Sequence, residues 1–359
     1  MKKRLKKGIL LLVACILFLD VPVAAKGRDV VVSLQIHNAV MHVNGEEMEI
    51  DAGRSTTPCI KDGRTLVPIR AIIEAFGGAV SWNDKQKTTS LTMDGDTVKL
   101  TIDSKEAICN NRKEMLDVAP IIINGRTMLP IRFVAESFNL GVAWNAKTQT
   151  VSIIRDSFTS EEYQTLMRMV MPYQGEPYMV INENTPFFKA YEKIAGSFEY
   201  YSRLDTLGRC NVCEASVAKD IMPTEKRGSI SSVIPTGWVN AKYDSIEGGY
   251  LYNRCHLIGY QLTGENANKR NLITGTRYLN VQGMLPFENL VDDYVEMTGN
   301  HVMYRATPVF KDDNLVADGV LLEGFSVEDK GRGVSFCIYC YNVQQGIYID
   351  YKTGENRLA

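Results

Sequence analysis

Histidine is almost missing from this sequence, with four residues in 359. His37 and His42 lie close together, and His256 and His301 stand apart. That scarcity excludes a site built on clustered imidazoles, the ligands that zinc and copper centres draw on. A large basic excess is missing as well: the formal net charge is −2. The chain is therefore no polybasic sponge for nucleic acid, and any polyanion site has to be a local patch. Long apolar runs are absent apart from "ILLLVACILFL" near the N-terminus, whose 11 residues are too few to cross a bilayer comfortably as a helix.

What is present begins with that run. "MKKRLKKG" is a basic leader, the apolar stretch follows, and "VAA" before Lys26 suits a small-residue cleavage site, so residues 1–25 are expected to be a signal peptide. A lipoprotein box at "LVAC", leaving a lipidated Cys15, ranks second because the apolar run continues past it. The expected location is secreted, extracellular or cell-surface associated. Without the leader's five basic residues and one acidic residue, 35 Lys+Arg stand against 41 Asp+Glu, a net of −6. Seven cysteines remain, an odd number and too few for a disulfide-built miniprotein, so hydrophobic cores must hold the domains.

The first half of the chain repeats itself. "GRTLVPIRAIIEAFGGAVSWNDKQKTTSL" (63–91) returns as "GRTMLPIRFVAESFNLGVAWNAKTQTVSI" (125–153), offset by 62, with fourteen of 29 positions identical. Each copy reads as a turn at Gly-Arg-Thr, a short helix opened by Pro68 or Pro130, and a strand holding Trp82 or Trp144. On these motifs, residues 30–154 resemble the copper amine oxidase N-terminal-like (stalk) domain. The name implies no copper here, since His37 and His42 read as strand residues. The repeats are expected to act as a spacer or a surface-binding module, with contact to the cell wall or another surface. Residues 155–172 read as a linking helix closed by Pro172, and residues 173–359 as a further domain.

That last domain holds the chemistry. "YLYNRCHLIGY" reads as a strand ending near His256. Alternation puts Arg254 and His256 on one face, with Asn253 and Cys255 on the other. A guanidinium beside an imidazole suits phosphate hydrolysis. Downstream, "GTRYLNVQGMLPFENLVDDYVEMTG" reads as helical, interrupted or kinked by Gly283 and Pro286, and carries Asn280 and Glu288.

"NRCHLIGYQL" and "NLITGTRYLNVQGMLPFEN", with the flanking "PTGW", "HVMYRATPVF" and "YNVQQGIYIDYKTGE", resemble the DNA/RNA non-specific (sugar-nonspecific) ββα-metal endonucleases, in their DNA-entry nuclease branch. The family's Asp-Arg-Gly-His is Asn253-Arg254-Cys255-His256 here, so a carboxylate and a glycine are replaced. The resemblance implies His256 as general base and Asn280 as metal ligand. It also implies Asn271 and Glu288 in support of the metal's waters, and Arg254 beside the phosphate. Chemistry agrees: an imidazole can take a water's proton near neutral pH, and Mg²⁺ (with Mn²⁺ or Ca²⁺ in substitution) keeps most of its waters and needs few protein oxygens.

Lys226, Arg227, Lys242, Lys269, Arg270, Arg277 and Arg305 are the candidate substrate-binding cations, giving affinity without base preference. Cys210 and Cys213, and Cys337 and Cys340, have a zinc-like spacing, but the second pair lies in a strand-like run that would place them on opposite faces. The expected fold class is α+β: a mostly-β repeated stalk domain, then a mixed α/β nuclease domain with a ββα-metal finger on a central antiparallel sheet. The expected function is a secreted, metal-dependent, non-specific endonuclease acting on DNA and RNA. The alternative is a surface-anchored nucleic-acid-binding protein with an inactive nuclease domain.

Overall fold

A computed structural model describes residues 30–155 and 160–359. The expected signal peptide and the start of the linking segment lie outside the described residues.

Each repeat opens with a strand (Arg64–Pro68, Arg126–Pro130) whose final proline begins a seven-residue helix (Ile69–Ala75, Ile131–Ser137). Proline fits there because a helix's first residue has no hydrogen-bond acceptor for its N–H. The helices bury Ile69, Ile72 and Ile73, or Ile131, Val134 and Ala135, and lead into edge strands, Ala79–Asn83 and Gly141–Asn145. The two opening strands pair antiparallel, with Leu66 opposite Pro130, Val67 opposite Leu129 and Pro68 opposite Met128. With an offset of 62, that register places a local two-fold axis between Val67 and its own counterpart, Leu129.

Each edge strand continues into a hairpin partner, Thr88–Met93 or Thr150–Arg155, and three more strands complete a five-stranded sheet. In the first copy these are Asp96–Thr101, Glu106–Cys109 and Arg112–Met115, which follow in sequence. In the second they come from the start of the domain, Val30–Gln35, Val40–Val43 and Glu46–Glu49. Val30 therefore lies opposite Arg155, and the domain closes on itself. One core serves both copies, joining Ile72, Leu91 and Leu100 to Val134 and Ile153. His37 sits at a turn with φ 63 rather than in a strand, and His42 is in a strand beside Glu47.

The second half is built on a six-stranded antiparallel sheet in the order 178–180, 335–341, 319–326, 302–309, 213–217, 198–201. Its central strands are buried along almost their whole length, because both faces are covered. One face carries a two-stranded hairpin, Tyr252–His256 with Leu272–Thr276, followed by a π-helical turn, Leu279–Met284, and a helix, Leu285–Thr298. Cys255, Leu257, Leu279, Met284, Val291 and Val295 from this unit pack on Tyr304, Leu322 and Ile338 of the sheet. The other face receives Leu166 of the helix Ser160–Met169 against Leu321, Cys337 and Tyr339. The architecture is α+β, as expected.

The two halves touch. Val31, Ala143 and Ile154 share a cluster with Phe188, Phe198, Tyr200 and Met303. Trp144 forms a β-bridge with Ser197, and Asn145 Nδ2 donates to the Ala195 carbonyl at 2.5 Å. Arg203 pairs with Asp96 across the same boundary. No helix among the described residues is long and apolar enough to cross a membrane.

Candidate active site

The hairpin, π turn and helix enclose one wall of a cleft of about 670 Å³ lined by Arg227, Trp238, Asn253, Arg254, His256, Asn280 and Glu288, among others. His256 ends its strand opposite Leu272 and is buried. Its Nε2 lies 2.8 Å from the Asn266 carbonyl, and a ring nitrogen facing a carbonyl carries the proton. Nδ1 is then the unprotonated nitrogen, 3.3 Å from Arg227 Nη2. Burial lowers the imidazole to about 4, with the Arg227 charge adding to it and the Asn266 carbonyl opposing. The ring is neutral at physiological pH and able to accept a proton.

Asn280 comes from the π turn. Pro286 has no N–H and would leave a gap in a regular α-helical ladder; the chain widens just before it, and Leu285 N–H reaches back five residues to Asn280 O. Such turns concentrate at functional sites. The Asn280 Oδ1 accepts from the Cys255 thiol at 3.1 Å. Cys255 faces the core as expected, yet it touches the cleft through Asn280. Asn253, expected to face away, lines the cleft with Arg254. Glu288 projects from the helix towards Gly259, where a Cβ would sit 2.8 Å from the carboxyl carbon and push it aside. Burial pushes Glu288 up to about 8, with the Arg227 charge opposing.

Arg254 spends its guanidinium on the carbonyls of the preceding loop, residues 229–233. Nε donates to Val233 O at 2.6 Å, Nη2 to Ser231 O at 3.1 Å, and the group stacks 4.4 Å over Trp238. Asn271 requires a correction. It is completely buried, its Oδ1 accepting from Ile258 N at 2.8 Å and its Nδ2 donating to Ile258 O at 2.9 Å. It cannot support a metal's waters; it clamps the chain just past His256. Asn240 does the same for Tyr252, and Asn342 for Thr274 and Thr276. Asn271→Ala would strand two buried backbone groups, an expected cost of about 2–4 kcal/mol, read as a lower urea midpoint.

Arg305 is the second correction. It lies buried in the sheet, bonded to Glu323 at 2.8 Å, near Glu214 and Glu192, and stacked on Phe188. A strand buried on both faces has no outward side to offer a substrate. Arg270 bonds Asn139 of the repeat domain, and Arg277 pairs with Glu247 at 3.5 Å, so neither lines the cleft. Lys226 and Lys269 are exposed outside it, and Lys242 lies over the Tyr250 ring. Of the candidate substrate cations, the structure brings only Arg227 to His256. Trp238 lies within the "PTGW" motif without an assigned role, and the Asn266 carbonyl had no sequence signal because it depends on a loop's path. The Cys255–Asn280 contact was hidden because a cysteine read as core-facing gives no hint of a polar partner.

Among the described residues no three His, Cys, Asp or Glu side chains converge to form a metal cage. All seven described cysteines are free, and Cys337 and Cys340 sit in separate cores on opposite faces of their strand. The cleft instead offers the Asn280 amide oxygen with the Glu288 carboxyl nearby, a sparse, hard donor set that fits a cation keeping most of its waters.

The site is thus a His-bearing hairpin and helix on an antiparallel sheet, facing a polar cleft. Residues 189–327 match the family model for DNA/RNA non-specific endonuclease, and residues 54–153 that for the copper amine oxidase N-terminal domain. The second half is thus similar, over residues 189–327, to DNA/RNA non-specific endonucleases, and the first half, over residues 54–153, to the copper amine oxidase N-terminal domain. Among solved structures, the chain is similar to NucA from Streptococcus agalactiae with magnesium bound, at 25% identity over 56% of this chain and 98% of that one, TM-score 0.47. It is also similar to Sda1 nuclease with bound zinc, at 25% identity over 51% and 96%, TM-score 0.41.

Proposed function

We propose that this protein is an exported, divalent-metal-dependent endonuclease that hydrolyses DNA and RNA without base preference, with His256 as its base. The observation that carries this reading is the Asn266 carbonyl bond, which fixes the imidazole's proton on Nε2 and leaves Nδ1 to the cleft. Nδ1 takes the proton of the attacking water. Arg227, now against Nδ1, is exposed and long enough to turn to a phosphate and cover its charge. Arg254, fixed between Trp238 and the 229–233 loop, marks where the backbone passes. Asn280 Oδ1 would hold the cation, Mg²⁺ by its oxygen preference, and Glu288 would support its waters from below. The ion supplies positive charge at the phosphoryl and leaving oxygens. Export rests on the leader pattern of residues 1–25.

The test is a supercoiled plasmid with the purified protein and Mg²⁺, against the same reaction with EDTA. Nicking and then degradation with metal, and none with chelator, is expected. An intact plasmid with Mg²⁺, Mn²⁺ and Ca²⁺ in turn would sink the reading. Salt-sensitive binding without cutting would then favour the inactive binder, a reading that Asn253 in place of the motif's carboxylate supports.

A further inference from the structure

The two repeats are alike in sequence and differ in what covers them. The second copy's edge strand, Gly141–Asn145, is half-buried because the endonuclease domain seats residues 195–200 on it, through the Trp144–Ser197 bridge, the Asn145–Ala195 bond and Gly141 packed on Tyr200 and Phe198. Among the described residues no strand pairs with the outer side of the first copy's equivalent strand, Ala79–Asn83: four of its five residues are exposed, Trp82 among them at 38%. Nothing in "AVSWN" blunts this edge. It holds no proline and no charge, and the nearest ionic groups are Asp84 and Lys85 at its end. The Val80 carbonyl is capped only by Arg70 Nη1 at 3.2 Å, from a side chain largely in solvent.

We propose that Ala79–Asn83 is a dimerisation edge, and that its partner is the same strand of a second copy. Antiparallel pairing about a two-fold axis at Ser81 sets Val80 against Trp82 of the second copy, twice, and Ala79 against Asn83, twice. Val80 with Trp82 is a β-branched residue opposite an aromatic, a favourable cross-strand pair. No like charges meet. Ser81 lies opposite itself, small enough for the axis. The interface is isologous and closes at two copies, so it neither grows into filaments nor leaves the edge open. Two five-stranded sheets become one of ten strands. Arg70 must turn away from the Val80 carbonyl, which its exposure allows.

The proposal fixes a register, and the register gives the test. Sedimentation velocity on the whole protein across the micromolar range is expected to show a dimer. Val80→Lys and Trp82→Glu should each weaken it by about tenfold or more. Both together should restore it, since residue 80 of one copy faces residue 82 of the other. Ser81→Cys should form a disulfide-linked dimer under mild oxidation, because facing Cα atoms in a non-hydrogen-bonded antiparallel pair lie ~4.5 Å apart; Lys85→Cys should not. An unchanged circular dichroism spectrum and thermal melt for Val80→Lys would show that the repeat domain is intact. A wild type that sediments as a monomer throughout overturns the proposal. So does a dimer that neither single substitution weakens, or one that the pair does not restore.

Discussion

His256→Ala should lower plasmid nicking by about 10²–10⁴-fold, the span that a positioned general base contributes, with an unchanged circular dichroism spectrum. The pH profile supplies a sharper check. The proposed base acts when neutral, and the folded imidazole is held at about 4 rather than near the ordinary value of 6.5. The acid limb of kcat/KM should therefore appear as pH falls towards 4, not at 6.5. Burial is the main cause and Arg227 a lesser one, so Arg227→Ala should move that limb upwards while also reducing the rate. A limb that stays in place would mean that the Arg227–His256 contact is not made in solution.

Asn280→Ala should have the second large effect, raising the metal concentration for half-maximal activity by more than about 100-fold. That figure exceeds the 10–100-fold typical of losing a group that supports a ligand, because here the proposed ligand itself is removed. On that proposal, Cys255 is such a supporting group. Its thiol bonds the amide oxygen proposed to hold the cation, so it orients that oxygen and keeps the amide nitrogen turned away. Cys255→Ala is expected to weaken Mn²⁺ binding about tenfold, measured directly by electron paramagnetic resonance, and Cys255→Ser to recover most of it. Serine restores the donor, whereas a merely space-filling role would favour alanine at least as well. Equal Mn²⁺ affinity in wild type and Asn280→Ala would remove Asn280 from the metal site.

The residues that the sequence made legible are those placed by one continuous unit. Arg254, His256, Asn280 and Glu288 lie on a hairpin, a turn and a helix, so their spacing carries their geometry, and all four line the cleft. Asn271 is on the same unit but turns inward, because the chain after His256 needs a clamp and an amide can satisfy an N–H and a C=O together. Arg305 was misplaced for a different reason. Its glutamate partners come from three other segments, Glu192, Glu214 and Glu323, and no local pattern announces their meeting. The repeat showed its helices and edge strands in its prolines and tryptophans. What it hid was the swap, in which the domain's first strand completes the second copy's sheet. That pairing joins residues more than a hundred positions apart, and strand alternation does not encode it.

That swap bears on what the repeat domain can do mechanically. Val30 and Arg155 are partners at the end of one antiparallel pair, about 5 Å apart. Whatever precedes Val30 and the endonuclease domain that follows Arg155 are thus held almost as close as if the intervening domain were cut out. Tension drawn along the chain would meet this pair at its end and open it one rung at a time, the least resistant direction for a ladder. The domain adds bulk without adding reach, and a spacer is the one task for which its closure leaves it ill-suited.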